Sequence, residues 1–127
     1  MTRRQRNIAS LSGVIPALIV GSFMPTTAKV WLGTTSHYEH VAVHMAAFAI
    51  TAWLLLSLAD TRYRRILAAL AVCLFAWMLE TGEWLIYRNA MEWLDVRDDV
   101  FGVFVALIVT WPRGSRTESA NREASGK

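Results

Sequence analysis

The chain has 127 residues, of which 54% are apolar and 18% charged, with a net charge of +3. That length fits one domain and excludes a large multidomain enzyme, and the apolar content excludes intrinsic disorder. The single cysteine, Cys73, excludes a disulfide framework and a cysteine-rich metal ribbon.

The placement of charge separates a soluble core from a membrane protein. Bilayers require about 20 residues of helix, with a range of roughly 17–25. The first stretch without Asp, Glu, Lys or Arg runs from Arg6 to Lys29 and predicts a span over about 8–25. It holds Ser10, Ser12, Gly13, Pro16, Gly21 and Ser22, and these small residues read as a face for close helix packing. The second stretch, between Glu39 and Asp60, predicts a span over about 40–59. The third begins after Arg65 and reaches span length only with Glu80 and Glu83 inside the helix near one end, over about 66–87. The fourth, Val100–Trp111, reaches it only if the helix starts near Trp93 and carries Asp95, Asp98 and Asp99 in its first turns, over about 94–112. Residues 113–127 are polar and serine-rich and read as a disordered tail.

A soluble four-helix bundle would need a polar stripe along each helix. Segment 41–59 has only His44, Thr51 and Ser57 outside the apolar set, and they form no stripe. The expected fold is therefore all-α, a four-helix transmembrane bundle. Its orientation follows from the basic residues, which stay on the cytoplasmic side. Arg3, Arg4 and Arg6 precede the first span, Arg62, Arg64 and Arg65 fill the second connection, and Arg113 and Arg116 follow the last span. Both termini are expected in the cytoplasm, with residues 1–7 as a short N-terminal segment and 25–40 and 88–94 facing out. Trp31, Tyr38, Trp84, Tyr87 and Trp93 then sit at the outer interface, and Tyr63 and Trp111 at the inner one. The start of the chain also resembles a signal peptide, and Arg3-Arg4 hints at a twin-arginine signal. No small-residue cleavage site follows Pro25, and three further spans make a cleaved export signal unnecessary.

This topology gathers the polar residues of three helices at one depth: His37, Glu39, His40 and His44; Glu80 and Glu83; Arg88, Glu92, Asp95, Asp98 and Asp99. His37, His40 and His44 share one helical face, Glu80, Glu83 and Tyr87 repeat the i, i+3, i+7 spacing, and Asp95, Asp99 and Gly102 share a face at i, i+4, i+7. A charged side chain at the bilayer centre costs roughly 2.5–3.5 kcal/mol on the insertion scale, so such residues face the bundle interior. One shared, outward-opening pocket is expected. Three readings of it stand side by side. In the first, the carboxylates cap helices, Arg88 pairs with one of them and the histidines meet headgroups. In the second, the pocket binds or transforms a polar group at the outer leaflet. In the third, His40 and His44, spaced as in zinc helices, bind a metal beside the carboxylates. His-x-x-x-His without the intervening Glu is a common accident, so no metal ligand set and no cofactor is assigned.

These same residues resemble the VanZ-like family of small bacterial integral membrane proteins over roughly 15–110. The first span ends in Ser22-Phe23-Met24-Pro25, like the family's serine-to-proline exit. Tyr38-Glu39-His40 resembles the family's K-x-E-H or D-K-x-x-H opening of the second span, with Ser36 and His37 at the Asp and Lys positions. Leu79-Glu80-Thr81-Gly82-Glu83 resembles L-E-x-x-Q, with Glu83 where glutamine is usual. Arg88 resembles the loop arginine, displaced by one position and without the preceding proline. Asp95 through Gly102 resembles D-x-x-x-N-x-x-G, with Asp99 in place of asparagine. The two exchanges to acid add negative charge to the pocket and favour a cation or a protonated carboxylate as ligand. The resemblance implies an inner (plasma) membrane protein acting at the periplasmic face on the cell envelope. The family's founding member is associated with reduced susceptibility to the glycopeptide teicoplanin.

Three functions are compatible with these features. The first is a non-enzymatic protein that binds an envelope precursor or antibiotic in a pocket lined by Glu39, His40, His44, Glu80, Glu83, Arg88, Asp95 and Asp99. Gly102 would permit close helix packing there. The second is a small membrane-embedded hydrolase or transferase for a lipid-linked substrate. In it His40 is general base, and Glu80 or Asp95 orients it or binds a metal. No serine or cysteine nucleophile motif accompanies that reading, and enzymatic activity is not assigned. The third is a structural subunit, as a homo-oligomer or beside a membrane-protein partner. Membrane lipids surround the protein in each case. The inner half carries no expected membrane-buried ionisable residue, so no proton or ion relay is foreseen. Arginine marks one face, while eight of the ten acids lie between Glu39 and Asp99. The net +3 is thus a topology signal and implies no nucleic-acid partner.

Overall fold

Thr2 opens the first helix with a reciprocal cap. Its hydroxyl accepts from the Gln5 backbone N–H at 3.2 Å, and the Gln5 side chain accepts from the Thr2 N–H at 2.8 Å. The computed structural model describes residues 1–24, 37–88 and 93–125. Within them the chain is all-helical, with no strand: α1 (Arg3–Ser22), α2 (His37–Leu56), α3 (Arg62–Tyr87) and α4 (Trp93–Ser125). The Thr61 hydroxyl caps α3 by accepting from the Arg64 N–H at 3.3 Å, which brings Arg62, Arg64 and Arg65 into its first turn. α2 stops at Leu56, and tighter bonds from Leu58 to Leu55 (3.0 Å) and Ala59 to Leu56 (3.2 Å) finish it.

The sequence conditions set on the last two helices hold. α3 contains Glu80 and Glu83, and α4 starts at Trp93 with Asp95, Asp98 and Asp99 in its first two turns. α4 runs from Trp93 through Pro112 to Ser125. One expectation is corrected: the small residues of α1 form no packing face within this chain, since a methyl group on Gly13 or Gly21 would have nothing within 4 Å. Periodicity explains this. Asn7 and Leu11 are buried, Val14, Leu18 and Ser22 half-buried, and this stripe turns Gly13, Pro16 and Gly21 outward.

Each of the other helices turns a similar stripe inward. Arg65, Ala69, Val72, Ala76, Leu79 and Glu80 are the buried positions of α3. Asp95, Asp98, Asp99, Val103, Ala106 and Thr110 are buried on α4, and Phe48, Thr51, Ala52, Leu54 and Leu56 on α2. Phe48, Ala52, Leu56, Ala69, Val72, Ala76, Leu79, Val103 and Ala106 form one apolar core in mid-bundle. α4 packs most extensively on α2, then on α3, while α1 lies against α2 and α3.

Successive helices run in opposite directions. At one end the Tyr87 hydroxyl donates to the Phe23 carbonyl at 2.6 Å and Gly82 faces the Phe23 ring, joining the ends of α1 and α3. At the other end the Arg65 guanidinium donates to the Thr110 and Ala59 carbonyls, and Arg62 stacks over the Trp111 ring at 5.9 Å. Among the described residues, only α3 is by itself long and apolar enough to cross a membrane, and 28% of its most apolar 18-residue stretch is buried. In α2 the apolar stretch is the shorter Val41–Leu56.

Candidate functional site

The inward stripes of α2, α3 and α4 change character at the end where α2 and α4 begin and α3 finishes. On α3 the spacing that buries Ala69, Val72 and Ala76 places Glu80 next in line. On α4 the spacing that buries Ala106 and Val103 places Asp99, Asp98 and Asp95 inward. The free N–H groups and positive end of the helix favour carboxylates there. Glu80 is 5% exposed and Asp99 1%. Isolated carboxylates in such surroundings are costly, so their partners carry the chemistry.

His44, half-buried on the second turn of α2, lies between them. Its Nδ1 is 3.0 Å from Asp99 Oδ1. An ionised carboxylate only accepts hydrogen bonds, so His44 Nδ1–H donates to it. One donor atom each from His44, Glu80 and Asp95 falls within 4.8 Å of the others, drawing together three different helices. Glu80 lies within electrostatic reach of Asp95, Glu83, His44 and Asp99. Asp98 Oδ1 accepts from Arg97 Nη2 at 2.7 Å and from Arg97 Nε at 2.9 Å, while its Oδ2 is buried with no partner among the described residues.

Gly102 stands one turn further along α4. A Cβ there would collide with the Met45 carbonyl oxygen and meet the Met45 carbonyl carbon and Ala49 nitrogen at 3.2 Å. The backbones of α2 and α4 therefore touch, which brings Asp99 and His44 within hydrogen-bond distance.

The structure thus unites four of the expected pocket residues: His44, Glu80, Asp95 and Asp99. Glu83 is half-buried one turn beyond Glu80. Glu39 lies on the exposed first turn of α2. Arg88 is exposed in the left-handed conformation (φ 53°) that ends α3, and with Trp84 and Leu85 it lines a separate hollow of about 300 Å³. Among the described residues Arg88 makes no ion pair with the acidic cluster. The side chains of His37 and His40, and Glu92 entirely, lie outside the described residues.

Three polar features escaped the sequence reading. Arg65 is buried at the opposite end, donating to the Thr110 carbonyl, so that half of the bundle does contain a buried ionisable group. Asn7 and Thr51 are buried as well. The pattern was visible: position 65 begins the stripe continued by 69, 72 and 76. The pairing of Arg97 with its neighbour Asp98 had no such signal, because adjacent residues point to different helix faces.

No protein-family model, curated protein or solved structure matches the chain.

Proposed function

We propose that the chain is a multi-pass inner-membrane protein of the VanZ-like type, with both termini cytoplasmic and an outward-facing acidic pocket. The pocket binds a polar group of a cell-envelope component or glycopeptide antibiotic.

The observation that carries the membrane reading is an inverted distribution of side chains. Asp95, Asp98, Asp99, Glu80 and Arg65 are buried, while Leu70, Leu74, Trp77, Phe101, Phe104 and Ile108 are among many large apolar side chains exposed on the outside. A soluble bundle carries its charges outward and would aggregate through such a surface, whereas lipid tails solvate it. Arg3, Arg4, Arg62 and Arg64 are exposed at the end opposite the acidic cluster, the asymmetry expected of a cytoplasmic face. Tyr38, Trp84, Tyr87 and Trp93 are exposed at the acidic end, and Tyr63 and Trp111 at the basic end, where aromatic belts lie.

A hydrolase or transferase reading draws on the same geometry, because the His44–Asp99 pair is the arrangement of an oriented general base. It lacks an accompanying nucleophile motif, so binding is preferred. The test is an antibiotic and envelope-stress sensitivity profile of a deletion strain, complemented with the wild type, Glu80→Ala or Asp95→Ala. Both variants are expected to reach the membrane at wild-type level and to fail in complementation. Full complementation by both would remove the pocket from the function.

A further inference from the structure

We infer that His44, Glu80 and Asp95 bind a single divalent transition-metal ion, with Asp99 orienting the His44 ring. This rests on reading the cluster as a ligand pocket and names the ligand class.

The donors come from α2, α3 and α4, so sequence proximity does not explain their convergence. Atoms bound to one zinc-like ion at about 2.1 Å lie at most about 4.2 Å apart. The observed separations, all within 4.8 Å, therefore close around an ion with side-chain movement well under 1 Å. A nitrogen and two carboxylate oxygens suit Zn²⁺, Mn²⁺ or Fe²⁺ better than Mg²⁺ or Ca²⁺, which favour all-oxygen cages.

The His44–Asp99 contact adds the feature that metal-ligating histidines share. The Asp99 carboxylate accepts from the ring's Nδ1 at 3.0 Å and so fixes the orientation of the imidazole. Cys73 precedes Glu80 by seven residues, about 10 Å along α3, so thiolate ligation has no part. Asp98 adds a further buried carboxylate oxygen beside Asp99, and Arg97 is already engaged with it. A divalent cation at this point would neutralise two buried carboxylates at once.

The experiment uses the purified full-length chain in lipid nanodiscs, stripped with chelator and titrated with Zn²⁺ by calorimetry. The expected result is one saturable site with a Kd below about 10 μM. His44→Gln and Glu80→Gln should each weaken it at least about 100-fold, and Asp99→Asn about 10–100-fold, the range for residues that orient a ligand. Asp60→Asn, at the opposite end, should leave it unchanged.

Should a variant fail to fold, X-ray absorption of the zinc-loaded wild type reads the ligands directly. One imidazole with oxygen donors supports the site; two or more imidazoles, or a sulfur, contradict it. Absence of saturable binding overturns the inference even if the deletion strain shows an envelope phenotype. Zinc binding by a protein whose deletion is silent supports the site and overturns the envelope reading.

Discussion

Gly102→Ala tests the seam on which the acidic cluster depends. The added methyl group would strike the Met45 carbonyl oxygen and crowd the Met45 carbonyl carbon and Ala49 nitrogen, both at 3.2 Å. These are backbone atoms, so no side chain can swing aside. α2 and α4 must move apart by roughly 1 Å to restore ordinary contact, and overpacking of this kind costs roughly 1–3 kcal/mol. Asp99 lies one turn before Gly102, and its bond to His44 crosses the same seam at 3.0 Å. An opening of that size carries the bond out of range and strands a carboxylate that is 1% exposed, a further loss of roughly 1–3 kcal/mol. Each kcal/mol moves the Tm of a domain this size by roughly 3–6 °C, so Gly102→Ala should lower it by roughly 10 °C or more. Gly13→Ala is the control. Its methyl meets nothing within 4 Å, and removing a helix-interior glycine should stabilise by roughly 0.5–1 kcal/mol. Thermal unfolding of the purified chain by circular dichroism, with histidine NMR reporting on His44, reads both effects. Equal stability of Gly102→Ala and wild type, or an undisturbed His44–Asp99 contact, would refute the reasoning.

Leu74→Lys distinguishes lipid from water outside the bundle. Leu74 is 56% exposed in the middle of α3, so in a soluble protein the change should stay within about 0.5 kcal/mol. At the centre of a span it should cost roughly 2.5–3.5 kcal/mol and depress membrane insertion, which a glycosylation-mapping insertion assay measures. Arg65→Met removes the donor to the Thr110 and Ala59 carbonyls and should destabilise by roughly 1–3 kcal/mol in thermal unfolding. Tyr87→Phe deletes one bond, to Phe23, and should cost about 1 kcal/mol in the same assay without altering zinc titration.

The helices were legible because charge-free stretches and the positions of the flanking acids bound them. Span length alone requires Glu80 within α3 and Asp95, Asp98 and Asp99 in the first turns of α4, where they lie. The convergence of His44, Glu80, Asp95 and Asp99 follows from alternating direction plus helical period, and the seam at Gly102 brings two of them into contact. What sequence did not reveal was rotation. The apolar residues of α1 alternate with small ones so evenly that composition suggested a packing face at Gly13 and Gly21, whereas the stripe through Asn7, Leu11 and Leu18 is the one turned inward. Arg65 shares a basic run with Arg62 and Arg64, which hides it as a charge marker, although its spacing from Ala69 and Val72 places it inside.

In the proposed topology the acidic cluster lies at the outward end of a membrane-spanning bundle. Single cysteines at Tyr38, Arg88 and Asp60, in a chain carrying Cys73→Ala, test this most directly when intact cells are treated with a membrane-impermeant maleimide. All three positions are exposed, two at the acidic end and one at the basic end. The cysteines at 38 and 88 should label in intact cells, and the one at 60 only after permeabilisation. Labelling of position 60 from outside, or recovery of the protein in the soluble fraction, would contradict the account.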